Sequence, residues 1–366
     1  MRIILFCQNT YAFGILAPIR DVLLEQKHHY LWYIPEKLLN DFPFKEENYT
    51  VSILDLQLYG SDAIFVPGNE VPYFIRGLKI QIFHGWAGTK KGRIGIKHYF
   101  DLYLTQGPYF TKKFKELKKI HKNFEVIETG WPKLDIFSRE RNKYDFEKKA
   151  ILEQFKTDKI ILYAPTFSPS STSAPFLLKE IKHLAEQTGY VIFIKFHDLM
   201  DKKWIEAYKK LADEIPNIVF KEDTNIVKYL LQADILISDT SSVIYECILL
   251  DKPVITFRNI SKNALWDNSS SYTGLYKKVL KNLQSDPFAI ERAYINMQFH
   301  PYRDGQSAQR MVDTVKDFIK VHGVPEKRKL SWRRRFKIDS TYGKPIKDPF
   351  QGERINKISA VLITFN

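Results

Sequence analysis

Cysteine is almost missing from this sequence. Cys7 and Cys247 are the only two in 366 residues, with no CxxC spacing and no Cys/His cluster. That excludes a disulfide framework, leaves no thiolate metal centre, and fits a reducing, cytoplasmic setting. Long apolar runs are missing too. No stretch of about 18 apolar residues is present to span a bilayer, and the opening Met1–Phe6 is too short for a signal-peptide core. Any membrane contact is therefore expected to be peripheral. Acidic residues are the minority, 42 against 56 Lys and Arg, for a net charge of +14. A field of that sign draws in phosphates, nucleotides or acidic lipid headgroups. No GxGxxG opens the chain, no GxxxxGK[ST] loop occurs, and no DxD pair follows a strand. Kinase-type and metal-dependent sugar-transfer readings lose support, and neither a metal nor another cofactor is expected.

What is present is a regular alternation. With 44% hydrophobic and 14% aromatic residues, the chain has material for two cores of ordinary size. Short β-rich runs at 3–6, 30–34, 63–66, 80–83, 102–105 and 126–129 alternate with helical stretches, the pattern of a parallel sheet wrapped by helices. A charged stretch at 139–149 interrupts it. A second series follows at 160–164, 191–195, 218–220, 235–238 and 254–257, with helical patterns at 176–187, 204–213 and 307–320. The fold class is thus α/β, two Rossmann-like, doubly wound parallel-sheet domains facing a cleft. The expected boundaries are 1–145 for the first domain, 146–325 for the second and 326–357 for a basic tail or linker. The apolar run at 358–366 reads as the first strand of a further domain.

Ligands of open parallel sheets sit beyond the carboxyl ends of the strands, so the polar residues that follow each strand are the candidates. After 80–83 comes His84–Gly92 (HGWAGTKKG). The His84 imidazole suits proton abstraction near neutral pH, Gly85 lets backbone approach a phosphate, and Lys90 would neutralise it. After 191–195 comes KFHD, in which His197 would donate to a diphosphate. After 235–238 come Thr240, Ser241 and Ser242 at the start of a helix, an anion site in the making. Glu246, one turn on, would take the hydroxyls of a ribose. A plain capping box built on Asp239 or Ser242 is the alternative. A fourth segment, His300–Arg310, leads into a helix where Arg303 and Ser307 would complete the pocket, unless they are solvated loop residues.

Taken together, HGWAGTKKG (84–92), TGWPKLD (129–135), ILYAPTF (161–167), KFHD (195–198), ISDTSSVIYE (237–246), DKPVITF (251–257) and DGQSAQR (304–310) resemble the CDP-glycerol glycerophosphotransferase family of teichoic-acid and capsule polymerases and primases. The resemblance covers roughly residues 80–320. It implies a GT-B fold and metal-independent transfer of glycerol phosphate, or a related polyol phosphate, from a CDP-alcohol donor. The implied acceptor is a glycan or lipid-linked molecule reached from the cytoplasmic face of a bacterial membrane. By motif position His84 matches the family's base, His197 its donor-phosphate histidine, and Thr240–Ser242 its phosphate-binding serines. Two departures stand out: Asp198 replaces the proline of lysine-x-histidine-proline, and Thr240 replaces the tyrosine of tyrosine-serine-serine. The run at 358–366 also looks like the opening strand of a family-2 glycosyltransferase domain.

The expected chemistry is in-line displacement at the β-phosphorus, His84 taking the acceptor proton and CMP leaving. A glycosyltransferase of the same architecture using a nucleotide sugar is the nearest rival, and a non-catalytic anion-binding module is the rival of another class. No nucleic-acid partner is expected. The basic, aromatic stretch Lys327–Lys337 is expected to lie on an anionic membrane surface, or else to be a solvated linker.

Overall fold

Two parallel sheets carry the chain. The structure, a computed structural model, describes residues 1–85, 95–223, 225–261, 264–326, 328 and 330–346. The first sheet comprises β1 (Arg2–Phe6), β2 (His29–Tyr33), β3 (Tyr49–Thr50), β4 (Ala63–Val66), β5 (Leu78–Gln81), β6 (Leu102–Thr105) and β7 (Glu125–Glu128). Their spatial order is β3-β2-β1-β4-β5-β6-β7. The second holds β8 (Ile160–Tyr163), β9 (Val191–Ile194), β10 (Ile218–Phe220), β11 (Ile235–Ser238), β12 (Val254–Phe257) and β13 (Asp267–Ser269), in the order β10-β9-β8-β11-β12-β13. Every strand pair in both sheets is parallel.

Side chains along a strand point to opposite faces in turn, so a strand covered by helices on both faces must be apolar throughout. In β1, Ile3 and Leu5 enter one apolar cluster while Ile4 and Phe6 enter another. In β8, Ile160 and Leu162 face one way and Ile161 and Tyr163 the other. The faces holding Leu5 and Leu162 share a single cluster that also contains Trp131 and Met311, so the two units are joined by apolar packing.

Two strands have no apolar run to mark them: β3 is two residues long, and β13 is an edge strand of sequence Asp-Asn-Ser. The run expected at 80–83 is paired as Leu78–Gln81, which leaves Ile82 and Phe83 beyond the strand.

The C-terminal part departs further from the sequence reading. The helix Ser307–His322, expected to close the second domain, lies against the helix Tyr11–Glu25 of the first unit, with Gln26 Nε2 donating to Asp313 Oδ1 at 3.1 Å. Beyond it the chain stays on the first unit. Pro325 O accepts from Gly77 N, and Arg328 pairs with Asp101. The expected linker then forms a helix, Trp332–Tyr342, whose Ile338 is fully buried among Ile4, Phe6 and Tyr33. Lys327, Lys329 and the strand-like run 358–366 lie outside the described residues.

Candidate functional site

In each sheet the strand order reverses once, between β1 and β4 and between β8 and β11. The carboxyl ends of such strand pairs open the crevice where open α/β sheets bind ligands.

Next to the first reversal, one strand beyond β4, the chain leaves β5 through Phe83, a buried aromatic held at φ +61°. Non-glycine residues rarely adopt that left-handed conformation, and it persists only where the surroundings enforce it. The turn lifts His84 off the sheet into solvent. There Nδ1 lies 3.0 Å from Pro67 O at the end of β4, and the ring stacks on Tyr11 with centroids 5.0 Å apart. A carbonyl oxygen can only accept, so Nδ1 carries the proton and Nε2 keeps a lone pair for an incoming hydroxyl. Gly85 O accepts from Gln106 Nε2, and a side chain at Gly85 would meet nothing within 4 Å. Lys90 lies outside the described residues.

At the second reversal Asp239 is fully buried at the end of β11. Its Oδ1 accepts from the amides of Thr166 and Thr240, and its Oδ2 from the amide and hydroxyl of Ser173. Burial pushes its pKa up while these N–H donors pull it down. Asp239 therefore staples the turn and does not cap the following helix. Thr240 Oγ1 is buried with no partner among the described residues. Ser241 Oγ accepts weakly from Val243 N, and Ser242, exposed at the N-cap position, makes no capping bond. Of the capping box only the position remains. The helix Val243–Leu249 has just two turns, so its dipole is small and the hydroxyls carry more weight than expected.

His197 follows the neighbouring β9. Its Nδ1 accepts from Leu199 N at 3.1 Å, which fixes the proton on Nε2 and makes that nitrogen a donor. The ring rests on Phe167, the residue after the Thr166 bound by Asp239, with centroids 4.5 Å apart. His197 and the Thr240–Ser242 turn thus belong to one network.

Three of the expected site residues are placed differently. Glu246 is buried and its Oε1 accepts from Lys133 Nζ at 2.6 Å, so the carboxylate meant for a ribose is engaged by an ion pair. Ser307 is fully buried, and the helix it starts is capped by Asp135, whose two oxygens accept from Ser307 N and Ala308 N at 3.0 and 2.8 Å. That helix end has its anion already. Arg303 is exposed, and its carbonyl accepts from Ser138 Oγ. Arg310 is likewise spent within the chain, on Thr129 O and Asp304.

The residues missed lie on the segment after β7. Trp131 Nε1 donates to Phe83 O, next to His84, and Trp131 N donates to buried His300 Nε2 at 3.0 Å. Two residues on, Lys133 reaches Glu246 beside the serine turn. This connector therefore touches the strand end of His84 and the helix start of Ser242 together. The strand-end rule applied at β7 would have singled it out. A shallow concavity of about 560 Å³ lined by Lys149, Glu153, Lys156 and Tyr190 sits at the opposite, amino ends of the second sheet, away from all these groups.

Residues 82–262 match the profile of the family described as CDP-Glycerol:Poly(glycerophosphate) glycerophosphotransferase. The teichoic acid glycerol-phosphate primase of Bacillus subtilis (strain 168) is 26% identical over 271 residues, 66% of this chain and 68% of that protein. A protein of the same description from Bacillus spizizenii is 33% identical over 162 residues, and the matched part is 43% of this chain and 40% of the relative. Among solved structures, that of the wall teichoic acid polymerase TagF superposes with a TM-score of 0.59 and 17% identity, covering 88% of this chain and 89% of that one. At that identity the likeness is one of fold, here GT-B.

Proposed function

Because this chain belongs to the CDP-glycerol:poly(glycerophosphate) glycerophosphotransferase family, we propose that it transfers glycerol phosphate, or a related polyol phosphate, from a CDP-alcohol to a glycan or lipid-linked acceptor. The observation that carries this reading is the opposite tautomers of two strand-end histidines. His84 offers a lone pair at Nε2, and His197 offers an N–H at Nε2. A transfer in which one hydroxyl loses a proton and one phosphate gains charge needs one of each.

In the proposed reaction the acceptor oxygen attacks the β-phosphorus and His84 Nε2 takes its proton. The bond from the β-phosphorus to the bridging oxygen breaks, and CMP leaves with the electron pair. His197 and the hydroxyls of Thr240, Ser241 and Ser242 hold the phosphates and offset the charge that builds on CMP. Thr240 Oγ1, buried without a partner among the described residues, gains one when a phosphate oxygen arrives. Metal independence is part of the proposal.

CMP release and calorimetry with CDP-glycerol test it. His84→Ala is expected to lower turnover by about 10² to 10⁴ with donor affinity nearly unchanged. Ser242→Ala is expected to weaken donor binding by about 0.5 to 1.5 kcal/mol, with a smaller effect at saturating donor. Turnover is expected to survive a chelator. Full activity in His84→Ala, or no binding of CDP-glycerol or CDP-ribitol, would reject the assignment. Products formed from UDP-sugars instead would favour the glycosyltransferase reading.

The helix Trp332–Tyr342 is proposed to rest on an anionic membrane at the cytoplasmic face. Trp332 and Phe336 are 73% and 72% exposed, with Arg333 exposed beside them and Ile338 buried on the other side. No helix among the described residues is long and apolar enough to cross a membrane.

A further inference from the structure

The crevice between β1 and β4 holds side chains of the protein itself. Gln8, just past the end of β1, lies directly over Gly68: a Cβ added at Gly68 would fall 1.6 Å from Gln8 Oε1. The other end of the Gln8 amide is held as well, Nε2 donating to the Tyr342 hydroxyl at 2.5 Å. Tyr342 ends the helix Trp332–Tyr342 and packs against Phe6 with ring centroids 5.9 Å apart. That helix is fixed by Ile338 in the core, by Tyr73 OH donating to Asp339 Oδ1, and by Lys337 with Glu70.

The backbone under Gln8 is the backbone that orients His84. Pro67 O accepts a hydrogen bond from His84 Nδ1–H, and the carbonyls of Val66, Pro67 and Gly68 all accept from Gln81 Nε2 on β5. Gln81 secures this turn from the sheet side and Gln8 presses it from above. Contacts therefore run from Tyr342 through Gln8 and the Pro67–Gly68 turn to the imidazole. Gln8 and Tyr342, 334 positions apart in the chain, meet there, in a crevice that open sheets ordinarily give to a ligand.

We infer that Gln8 and Tyr342 are positioning residues for His84: the C-terminal helix, through the Gln8 amide, holds the Pro67–Gly68 turn at the height where its carbonyl selects the Nδ1–H tautomer of the base. The inference rests on the reading of His84 as the base. The phenol does no chemistry; it fixes an amide that would otherwise turn freely over a glycine. A misplacement of about 1 Å at a reacting group costs up to about 10²-fold in rate, and loosening a support costs a part of that.

The test is a double-mutant cycle on kcat for CMP release at saturating donor. Tyr342→Phe keeps the ring against Phe6 and removes only the hydroxyl, and Gln8→Ala removes the amide. Each is expected to lower kcat on the order of 10-fold with donor KM within about twofold, and to have no further effect in a His84→Ala background. Imidazole ¹⁵N shifts of His84 are expected to report a single Nδ1–H tautomer in the wild type and a mixture in Gln8→Ala. If Tyr342→Phe and Gln8→Ala slow the His84→Ala enzyme by the same factor as the wild type, or leave the tautomer pure and kcat intact, the inference is overturned. Full turnover in His84→Ala overturns the base assignment and this inference with it, an outcome distinct from the first.

Discussion

His84 and His197 differ in which ring nitrogen the backbone holds, and that difference decides what each can do. Their positions after strands were legible in the sequence, because buried parallel strands are apolar runs with abrupt ends. Their tautomers were not, since Pro67 O and Leu199 N reach them from turns that no run of residues announces. The same holds for Ser307, which looked like a pocket residue until Asp135, in a distant motif, took the helix end. His300 shows what a buried imidazole costs. Burial, with Arg310 nearby, lowers its pKa to about 4, and its Nε2 accepts from Trp131 N. The unfolded chain binds that proton near pH 6.5 and the folded one does not, so the stability tied to neutral His300 is complete above 6.5 and is lost as pH falls towards 4. Unfolding free energies from pH 7 to 4.5 are expected to slope by at most about 1.4 kcal/mol per pH unit more in the wild type than in His300→Asn. Equal slopes would show that His300 titrates normally.

At the level of elements, the strands were found to within two residues, apart from β3 and β13, which are too short or too polar to carry a pattern. The sequence of the helix Trp332–Tyr342 has the look of a linker for a related reason. It has one fully buried apolar residue, Ile338, among eleven, and its aromatics at 332 and 336 face out. That outward face sets the membrane prediction. Arg335 is unsuitable for the test because its guanidinium lies over Tyr73, 5.1 Å from the ring centre. Arg333→Glu is expected to weaken sedimentation with anionic vesicles by about 5-fold or more, at about 1 kcal/mol per basic residue near such a surface. Phe336→Ser is expected to weaken it further, and sedimentation unchanged in both would remove the helix from the membrane.

For the molecule as a whole, two doubly wound parallel sheets were legible from the alternation of strands and helices. The assignment of the last helices did not, because an amphipathic pattern says that a helix covers a sheet and leaves open which one. The two units are tied by the Lys133–Glu246 pair and by one apolar cluster. A donor bound between them, as proposed, would stabilise the whole fold. CDP-glycerol at about a hundred times its dissociation constant is expected to add about 2.7 kcal/mol, read as a rise in Tm, and CDP-glycerol without such a shift at that excess would place its site elsewhere or nowhere.

Burial of Ile338 beneath the first sheet also sets a schedule. The last strand of that sheet ends at Glu128, and the side chain that completes the core holding Ile4 and Phe6 follows about 210 residues later. At ordinary rates of about 5 to 20 residues per second, a ribosome needs roughly 10 to 40 s to cover that distance. Through that interval the nascent first unit waits with an open groove where the helix will dock. The whole second sheet is made in the meantime, so the unit begun first is the one finished last.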